Sequence, residues 1–317
     1  MTIKTSDVKK AVEHHLHLPK AKIHLLGSGR SNTNFVVNNK YVVRINAHLE
    51  EKDKINKEFV VLKALDGYNI APKVFVKDTS KKLIPQDFLI IEYFDGTDLK
   101  NKRLSVKMIR DLAQLTATLH SISDTKLSKV KPSYQEVKVN IERLIKRTAK
   151  HGGKSDSKFL FQNLIHLSTT GPQNKLAVVH GDICDSNLVY DQQSQLRFID
   201  FESCGLSDPA YDIADIFTGF GKTFSEKHQE LFYEEYFQHR KDPTLKRRVE
   251  VFIPLKLFET LCWAVMHVYE IQQGIVSKEI QKTHPLHEHI DYANLFLNKC
   301  KKTGIISQST YKLFSHN

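Results

Sequence analysis

A short stretch of extended chain, residues 176–201, interrupts the helical patterning of the second half of the sequence and restricts the fold more than any other feature. It consists of strand, loop, strand, turn and strand in the segments LAVVH, GDICDS, NLVY, DQQSQ and LRFIDF. Apolar residues recur at helical spacing on both sides of it. The pattern predicts a polar loop and a small hairpin set among helices.

The loop and the hairpin carry carboxylate and amide side chains. If the strands around DQQSQ pair about a centre between residues 193 and 194, Asn187 lies opposite Asp200. A carboxylate and an amide oxygen at one point suit Mg²⁺, which prefers hard oxygen ligands and the phosphates of a substrate. Asp182 lies on the loop before this hairpin, where it can accept a proton from an incoming hydroxyl. The sequence therefore predicts a magnesium site beside a general base.

These are the groups that phosphoryl transfer requires, namely a base and a metal that neutralises charge on the transferred group. Residues 180–187 have the H-x-D-x-x-x-x-N spacing of the protein-kinase catalytic loop, and a downstream metal-binding Asp is its companion. The spacing alone also suits a turn that merely joins strands. The apolar-Asp-aromatic-Glu sequence at residues 199–202 favours the catalytic interpretation.

These residues, with the segment IDFESCGLSDPAYDIADIF, resemble the aminoglycoside phosphotransferase and choline kinase superfamily, and within it the choline and ethanolamine kinase branch. The resemblance covers nearly the whole chain. It implies ATP and Mg²⁺ as cofactors, Asp182 as catalytic base, and Asn187 and Asp200 as metal ligands. It also implies Glu202 as a second metal ligand or an acceptor contact. Phe201 is followed by Glu202 and not by glycine, and no A-P-E segment follows, which argues against a protein substrate.

The first 94 residues are predicted to form a small antiparallel sheet with one helix. In FVVNNKYVVRI, two β-branched runs flank Asn38 and Asn39, which tolerate the positive φ of a two-residue hairpin turn. A helix follows in EKDKINKEFVVLKAL and stops at Gly67. Further strands are predicted near residues 73–77 and 87–93.

The remainder is predicted to be mainly helical, which gives a protein-kinase-like α+β fold. Its lobes are predicted to be a nucleotide-binding lobe, residues 1–94, and a catalytic and acceptor-binding lobe, residues 95–317. Helices are predicted at residues 105–121, 133–150, 157–168, 209–219, 225–239, 243–272 and 285–300.

The nucleotide-binding residues are predicted in the first lobe. In LLGSGRSNTNFVV, backbone amides between two strands can approach phosphates, although a glycine-rich hairpin can also be purely structural. Arg44 stands where protein kinases carry a phosphate-binding lysine, and its guanidinium offers two-pronged donors to phosphate oxygens. Glu58 is the candidate partner of Arg44, the alternative being a solvated helix face. The loop residues are Gly27, Gly29, Ser31 and Asn32.

The segment LIIEYFDG resembles the kinase hinge. Its residues Glu92, Tyr93 and Phe94 would hydrogen-bond adenine through their backbone, although the two aromatic residues also suit ordinary core packing.

The acceptor pocket is predicted around Trp263. Tryptophan is the strongest cation-π partner, and FETLCWAVMHVYE resembles the choline-kinase helix that lines the acceptor site. Burial of Trp263 in the core is the alternative. Choline and ethanolamine are the first candidate acceptors, and aminoglycosides, thiamine, a sugar or homoserine are rivals. A non-catalytic basic scaffold that binds nucleic acid or anions is the rival from another functional class.

The net charge of +11 is unevenly distributed. Residues 121–175 hold 11 basic and four acidic residues, whereas residues 176–217 hold eight acidic residues and one basic residue, Arg197. The basic excess therefore lies away from the predicted site, and no nucleic-acid partner is expected. The basic segment suits a solvated surface, and the alternative is a contact with an anionic partner or a membrane surface. Four widely separated cysteines predict free thiols, and the absence of a signal-like or membrane-spanning run predicts a cytoplasmic protein.

Overall fold

The computed structural model describes residues 3–28, 32–46, 54–100, 102–122, 137–165, 167, 176–220, 224–276, 285–307 and 310–315. The chain divides into two compact units. The first comprises Met1–Lys131, Ala177–Leu206 and Lys222–Lys241, and the second comprises Pro132–Leu176, Ser207–Gly221 and Asp242–Asn317. The predicted boundary between lobes after residue 94 stays a prediction.

The strands, in chain order, are β1 Ile23–Ser28, β2 Asn32–Val37, β3 Tyr41–Asn46, β4 Val74–Asp78, β5 Phe88–Glu92, β6 Gly96–Asp98, β7 Ala177–Val179, β8 Leu188–Asp191, β9 Leu196–Phe198 and β10 Gly205–Ser207. The helices are α1 Thr5–Leu16, α2 Lys54–Ala64, α3 Val106–His120, α4 Val137–Lys150, α5 Lys154–Leu164, α6 Pro209–Gly219, α7 Glu226–His239, α8 Leu245–Gln272 and α9 Leu286–Lys302.

The sheet of the first unit has the strand order β1-β2-β3-β5-β4, and its neighbours are antiparallel. Alternate side chains of β2, β3 and β5 point to one face, where they bury Phe35, Val43 and Phe88 against helix α1. Helix α1 contributes Val8 and Val12, which are fully buried. The sheet core is therefore closed by a helix that the sequence patterns above did not predict.

The turn after β2 confirms the predicted hairpin. Asn38 and Asn39 have φ of 52° and 51°, and Lys40 N donates to Val37 O at 3.0 Å. Strand pairing resumes between Val37 and Tyr41, so the connection has three residues and not the predicted two. Helix α2 ends as predicted, because Gly67 follows it with φ of 94°.

The remainder of the first unit carries residues 177–206, which include the predicted catalytic loop. Strand β7 pairs with β10, and β6, β8 and β9 form a three-stranded sheet. Helix α3 packs on β7, β9 and α7. In this packing His120 Nδ1 and the Tyr236 hydroxyl are 2.9 Å apart, and both side chains are buried.

The second unit is helical, and α8 packs against α4, α6 and α9. Among the described residues, α8 is the one helix long and apolar enough to cross a membrane by length and composition, and most of its apolar stretch is buried in the protein. Its buried Lys256 is neutralised, since Nζ lies 3.1 Å from Asp215 Oδ1 and 3.2 Å from Glu259 Oε2. Asp208 caps α6, because its side chain accepts a hydrogen bond from Ala210 N.

The predicted α+β fold is confirmed, with a five-stranded antiparallel sheet and a mainly helical remainder. Each predicted helix has its counterpart, although residues 133–136, 166 and 168 lie outside the described part of the chain. Strands β6 and β10 were not predicted. All four cysteines are free, as expected.

Candidate active site

The hairpin after the catalytic loop forms, but its predicted register is wrong by one residue. Leu188 pairs with Phe198 and Tyr190 with Leu196, and Asn187 O accepts a hydrogen bond from Ile199 N at 3.0 Å. Asn187 therefore lies opposite Ile199 and not opposite Asp200. The turn explains the shift, because Ser194 adopts the left-handed conformation with φ of 57° and closes a loop with an odd number of residues.

His180 and Gly181 fix the start of the catalytic loop. His180 is fully buried, its Nε2 lies 2.9 Å from Ile199 O, and its Nδ1 accepts a hydrogen bond from Asp182 N at 3.3 Å. These two partners define a neutral tautomer with the proton on Nε2. Gly181 has φ of 83°, and a Cβ there would lie 2.5 Å from Ser203 O. The buried His180 side chain therefore holds the start of this loop.

The predicted base and one predicted metal ligand contact each other. Asn187 Nδ2 donates to the Asp182 carboxylate at 3.0 Å and to Asp182 O at 2.9 Å. Asp182 is exposed, whereas Asn187 is buried in a 3₁₀ turn, Asp185–Asn187. The Asn187 amide thus orients a solvent-accessible carboxylate, and its own oxygen remains as an acceptor for a cation.

Arg44 links strand β3 to helix α2 and to the turn after β9. Its Nε lies 3.1 Å from the Glu58 carboxylate, so the predicted partner is in contact. Its Nη2 lies 2.5 Å from Asp200 Oδ1 and 3.5 Å from Glu202 Oε2. Arg44 and Glu58 are buried, whereas a third of the Asp200 side chain is exposed. Arg44 and Glu58, from the predicted nucleotide-binding segment, therefore form one cluster with Asp200 and Glu202.

This cluster holds three carboxylates around one guanidinium, an excess of negative charge that suits a divalent cation. Burial raises the pKa of Glu58 to about 7, with Asp200 and Glu202 acting in the same direction against Arg44. Burial would also raise the pKa of Asp200, but the charge and hydrogen bond of Arg44 outweigh it and hold that pKa below its usual value. Asp200 therefore keeps its negative charge, as a metal ligand must.

The glycine-rich loop reaches the same cluster through Asn32, whose Nδ2 donates to Glu202 Oε2 at 2.6 Å. Gly27 lies on β1 opposite Asn34, next to an irregularity in the pairing. The predicted residues Gly29 and Ser31 lie outside the described residues. Asn32 thus joins the edge of the predicted nucleotide loop to the acidic turn.

The predicted hinge residues follow strand β5. Glu92 N donates to Lys73 O at 2.8 Å and Tyr93 N donates to Lys40 O at 3.0 Å, so both amides are already used by the protein backbone. Phe94 lies beneath the guanidinium of Arg197, 5.6 Å from its ring centre. An adenine-binding role for these three residues stays a prediction.

Arg197 is a residue that the functional reasoning missed. Its Nε donates to Asp191 Oδ2 at 3.0 Å, and its Nη1 donates to Asn69 O, so it ties the catalytic hairpin to the loop before β4. Phe198 N reinforces this tie by donating to Ile70 O at 2.9 Å. The sequence does single this residue out, because Arg197 is the one lysine or arginine in the acidic stretch 176–217.

Trp263 lies in the second unit, on helix α8. Its ring stacks on His267 at a centroid distance of 5.0 Å and meets Tyr292 edge-on at 6.4 Å. Trp263 is partly exposed, so it is not a fully buried core residue. Its role in an acceptor pocket stays a prediction.

The sequence matches a family model described as the phosphotransferase enzyme family over residues 22–252. The chain belongs to this family. No curated protein sequence matches the chain.

Solved structures of this family share the fold. An ethanolamine kinase of Plasmodium vivax has a TM-score of 0.69 and 18% identity, over 92% of this chain and 87% of that one. A streptomycin–ATP complex of an aminoglycoside phosphotransferase has a TM-score of 0.59 and 18% identity, over 82% and 91%. Spectinomycin phosphotransferase with ADP and spectinomycin has a TM-score of 0.63 and 11% identity, over 94% and 98%. These identities establish a common fold and leave the acceptor open.

The raised pKa of Glu58 predicts a pH dependence of stability. The folded, nucleotide-free protein binds a proton at Glu58 that the unfolded chain has lost above its ordinary pKa of 4.5. The stabilisation that this proton gives the folded state is complete below that pKa and is lost as the pH rises through about 7. The free energy of unfolding of Glu58→Gln should therefore fall less than that of the natural protein between about pH 5 and pH 8.

Chemical denaturation at a series of pH values measures this difference. Glu13→Gln, which changes an exposed glutamate on α1, is the matched control and should follow the natural protein. Identical pH profiles for Glu58→Gln and the natural protein would show that Glu58 does not take up the proton.

Proposed function

We propose that this phosphotransferase is an ATP- and Mg²⁺-dependent kinase that phosphorylates the hydroxyl of a small amino alcohol, with choline and ethanolamine as the first candidates. The observation that carries the proposal is the contact of the exposed Asp182 carboxylate with Asn187, in the unit that also holds the Arg44 cluster. A base and a charge-neutralising group are the parts that phosphoryl transfer needs.

Asp182 is the proposed general base. It accepts the proton of the acceptor hydroxyl while the oxygen forms a bond to the γ-phosphorus, and the bond to the bridging oxygen of ADP breaks. The hydrogen bond from Asn187 Nδ2 holds the carboxylate in place before the substrate arrives. Positioning and electrostatic stabilisation together supply most of the rate acceleration in a reaction of this kind.

The chemistry of the donor set fits Mg²⁺. Asn187 and Asp200 would hold the metal, with Glu202 as a further oxygen donor, and the bound metal would neutralise charge on the phosphates. Within the described residues, no three His, Cys, Asp or Glu side chains form a metal cluster, so the proposed set depends on the Asn187 oxygen.

Arg44 is the proposed phosphate-binding cation. Its Nε is held by Glu58, which fixes the plane of the guanidinium, and its Nη2 points to the exposed Asp200 carboxylate. An incoming phosphate can share this donor, because arginine offers five N–H groups in a rigid plane. A nucleotide is supported by the complexes of structures that share this fold, which hold ATP, ADP or GDP, and ATP is the nucleotide proposed here.

An amino alcohol is favoured by the partly exposed aromatic cluster of Trp263 and Tyr292, since a tryptophan face attracts alkylammonium groups. The similarity to an ethanolamine kinase supports the same choice. An aminoglycoside is the second candidate, because the acidic stretch 176–217 suits a polycation and the related structures bind streptomycin and spectinomycin.

Removal of the base tests the reaction. Asp182→Asn should lower kcat by about 10²- to 10⁴-fold, while the Kd for ATP changes by less than about 3-fold, because the base contacts the acceptor and not the nucleotide. ADP release with choline, ethanolamine, thiamine, homoserine, sugars and aminoglycosides gives both the rate and the acceptor.

Asp185→Asn, a change of the same type in the same loop, is the control and should stay within about 10-fold of the natural protein. Unchanged kcat in Asp182→Asn would remove Asp182 as the base. No transfer to any acceptor, together with salt-sensitive RNA binding, would instead support the non-catalytic scaffold.

Substitution of Trp263 tests the acceptor class. Trp263→Ala should raise the KM for choline about 5- to 30-fold through loss of the cation-π contact, whereas Trp263→Phe should retain most of the affinity. The KM for ATP is the internal control and should not change. An unaltered KM for choline in Trp263→Ala would remove this ring from the acceptor pocket.

A further inference from the structure

Helices α4 and α5 present a basic face, defined here as their exposed side chains. A three-residue connection, 151–153, joins the two helices, and they pack on each other. The exposed cations of the basic face are Lys138, Arg143, Lys146, Lys150, Lys154 and Lys158. Its exposed large apolar residues are Val139, Phe161 and Ile165, at 59%, 49% and 66% exposure.

The basic face has no exposed carboxylate within the described residues 137–165. Of the two acids there, Glu142 is only partly exposed. Asp156 is buried and accepts hydrogen bonds from the hydroxyls of Tyr269 and Tyr311, both at 2.8 Å. An ordinary solvated surface intersperses both signs of charge, which limits self-repulsion. This face instead concentrates positive charge.

A groove of about 370 Å³ runs along α4 in the basic face and is lined by Val139, Glu142, Arg143, Lys146, Arg147 and Lys150. Residues 139, 143, 146 and 150 follow each other at three or four positions, so they form one stripe along the helix. Arg147 also lines the groove, and its guanidinium forms a salt bridge with the buried carboxylate of Glu270. The bases of the stripe, Arg143, Lys146 and Lys150, are exposed.

We propose that the basic face docks the protein on an anionic membrane surface. Each lysine or arginine near an anionic bilayer contributes on the order of 1 kcal/mol, so a cluster of six supports reversible binding. The exposed apolar residues add to this energy, since side chains of this type insert at the boundary between headgroups and acyl chains.

The apolar residues favour a membrane over nucleic acid. Val139 and Ile165 are aliphatic and cannot stack on bases, whereas single-strand binding relies on arrays of aromatic rings. Transfer of these exposed side chains out of water is favourable at a lipid interface. The inference concerns a surface in the second unit that holds neither Asp182 nor the Arg44 cluster.

Vesicle sedimentation with the full chain tests the proposal. Binding should be measured to phosphatidylcholine vesicles and to vesicles with about 30% phosphatidylglycerol, at about 0.05 M and 0.5 M NaCl. The protein should bind the anionic vesicles at low salt and be released at high salt. The double variant K146E/K150E should lower the partition coefficient at least 30-fold, given about 1 kcal/mol per lysine. F161S/I165S should lower it about 10-fold without a change in net charge.

K9E/K10E is the matched control, because it reverses two exposed lysines on α1 and gives the same change in net charge. It should retain most vesicle binding, and all three variants should retain their kinase rates in solution. Equal binding to neutral and anionic vesicles, or equal losses in K146E/K150E and K9E/K10E, would overturn the proposal. Tight RNA binding that F161S/I165S does not weaken, without vesicle binding, would overturn it in favour of nucleic acid.

Discussion

The buried guanidinium of Arg44 is the interaction on which the rest of the site depends. A cation removed from water must be paired, and leaving a buried partner unpaired costs about 3–5 kcal/mol. Arg44 finds its partners on helix α2, through Glu58, and on the turn after β9, through Asp200 and Glu202. The sheet, the helix and the acidic turn are thereby held in one arrangement before any ligand binds.

The excess of carboxylate over cation is the feature of this cluster that supports the proposed metal site. Arg44 neutralises one charge, and the remaining negative charge suits the proposed divalent metal. Asn32 extends the cluster to the predicted nucleotide loop through its bond to Glu202. Arg197 and Phe198 anchor the hairpin from the other side, on Asn69 and Ile70. The geometry of the predicted catalytic site in this unit is thus fixed by the salt bridges of Arg44 and by these side-chain and backbone hydrogen bonds.

Sequence reasoning predicted the features that depend on local chemistry. The positive φ of Asn38 and Asn39 follows from residue type and position. The pairing of Arg44 with Glu58 was predicted from the resemblance to kinases, and the two side chains are in contact. The register of the catalytic hairpin was wrong because the left-handed conformation of Ser194 has no clear signal in the sequence. The same limit applied to helix α1, whose short apolar stripe at Val8, Ala11 and Val12 is weak without the sheet that it covers.

Individual hydrogen bonds between distant segments could not be predicted from the sequence. The Asn32–Glu202 and Arg197–Asn69 bonds join residues far apart in the chain, and no local pattern encodes them. The charge distribution was informative in a different way. It separated the acidic stretch that holds the predicted site from a basic helical pair, and six cations of that pair are exposed on α4 and α5.

Metal–nucleotide binding at Asp200 is the most direct test of the proposed function. Electron paramagnetic resonance of Mn²⁺, as a substitute for Mg²⁺, distinguishes free Mn·ATP from the complex with the protein. Asp200→Asn should weaken the ternary complex at least 10-fold, whereas Asp185→Asn should leave it within about 3-fold of the natural protein. Equal Mn·ATP affinity and equal spectra in Asp200→Asn and the natural protein would contradict the account.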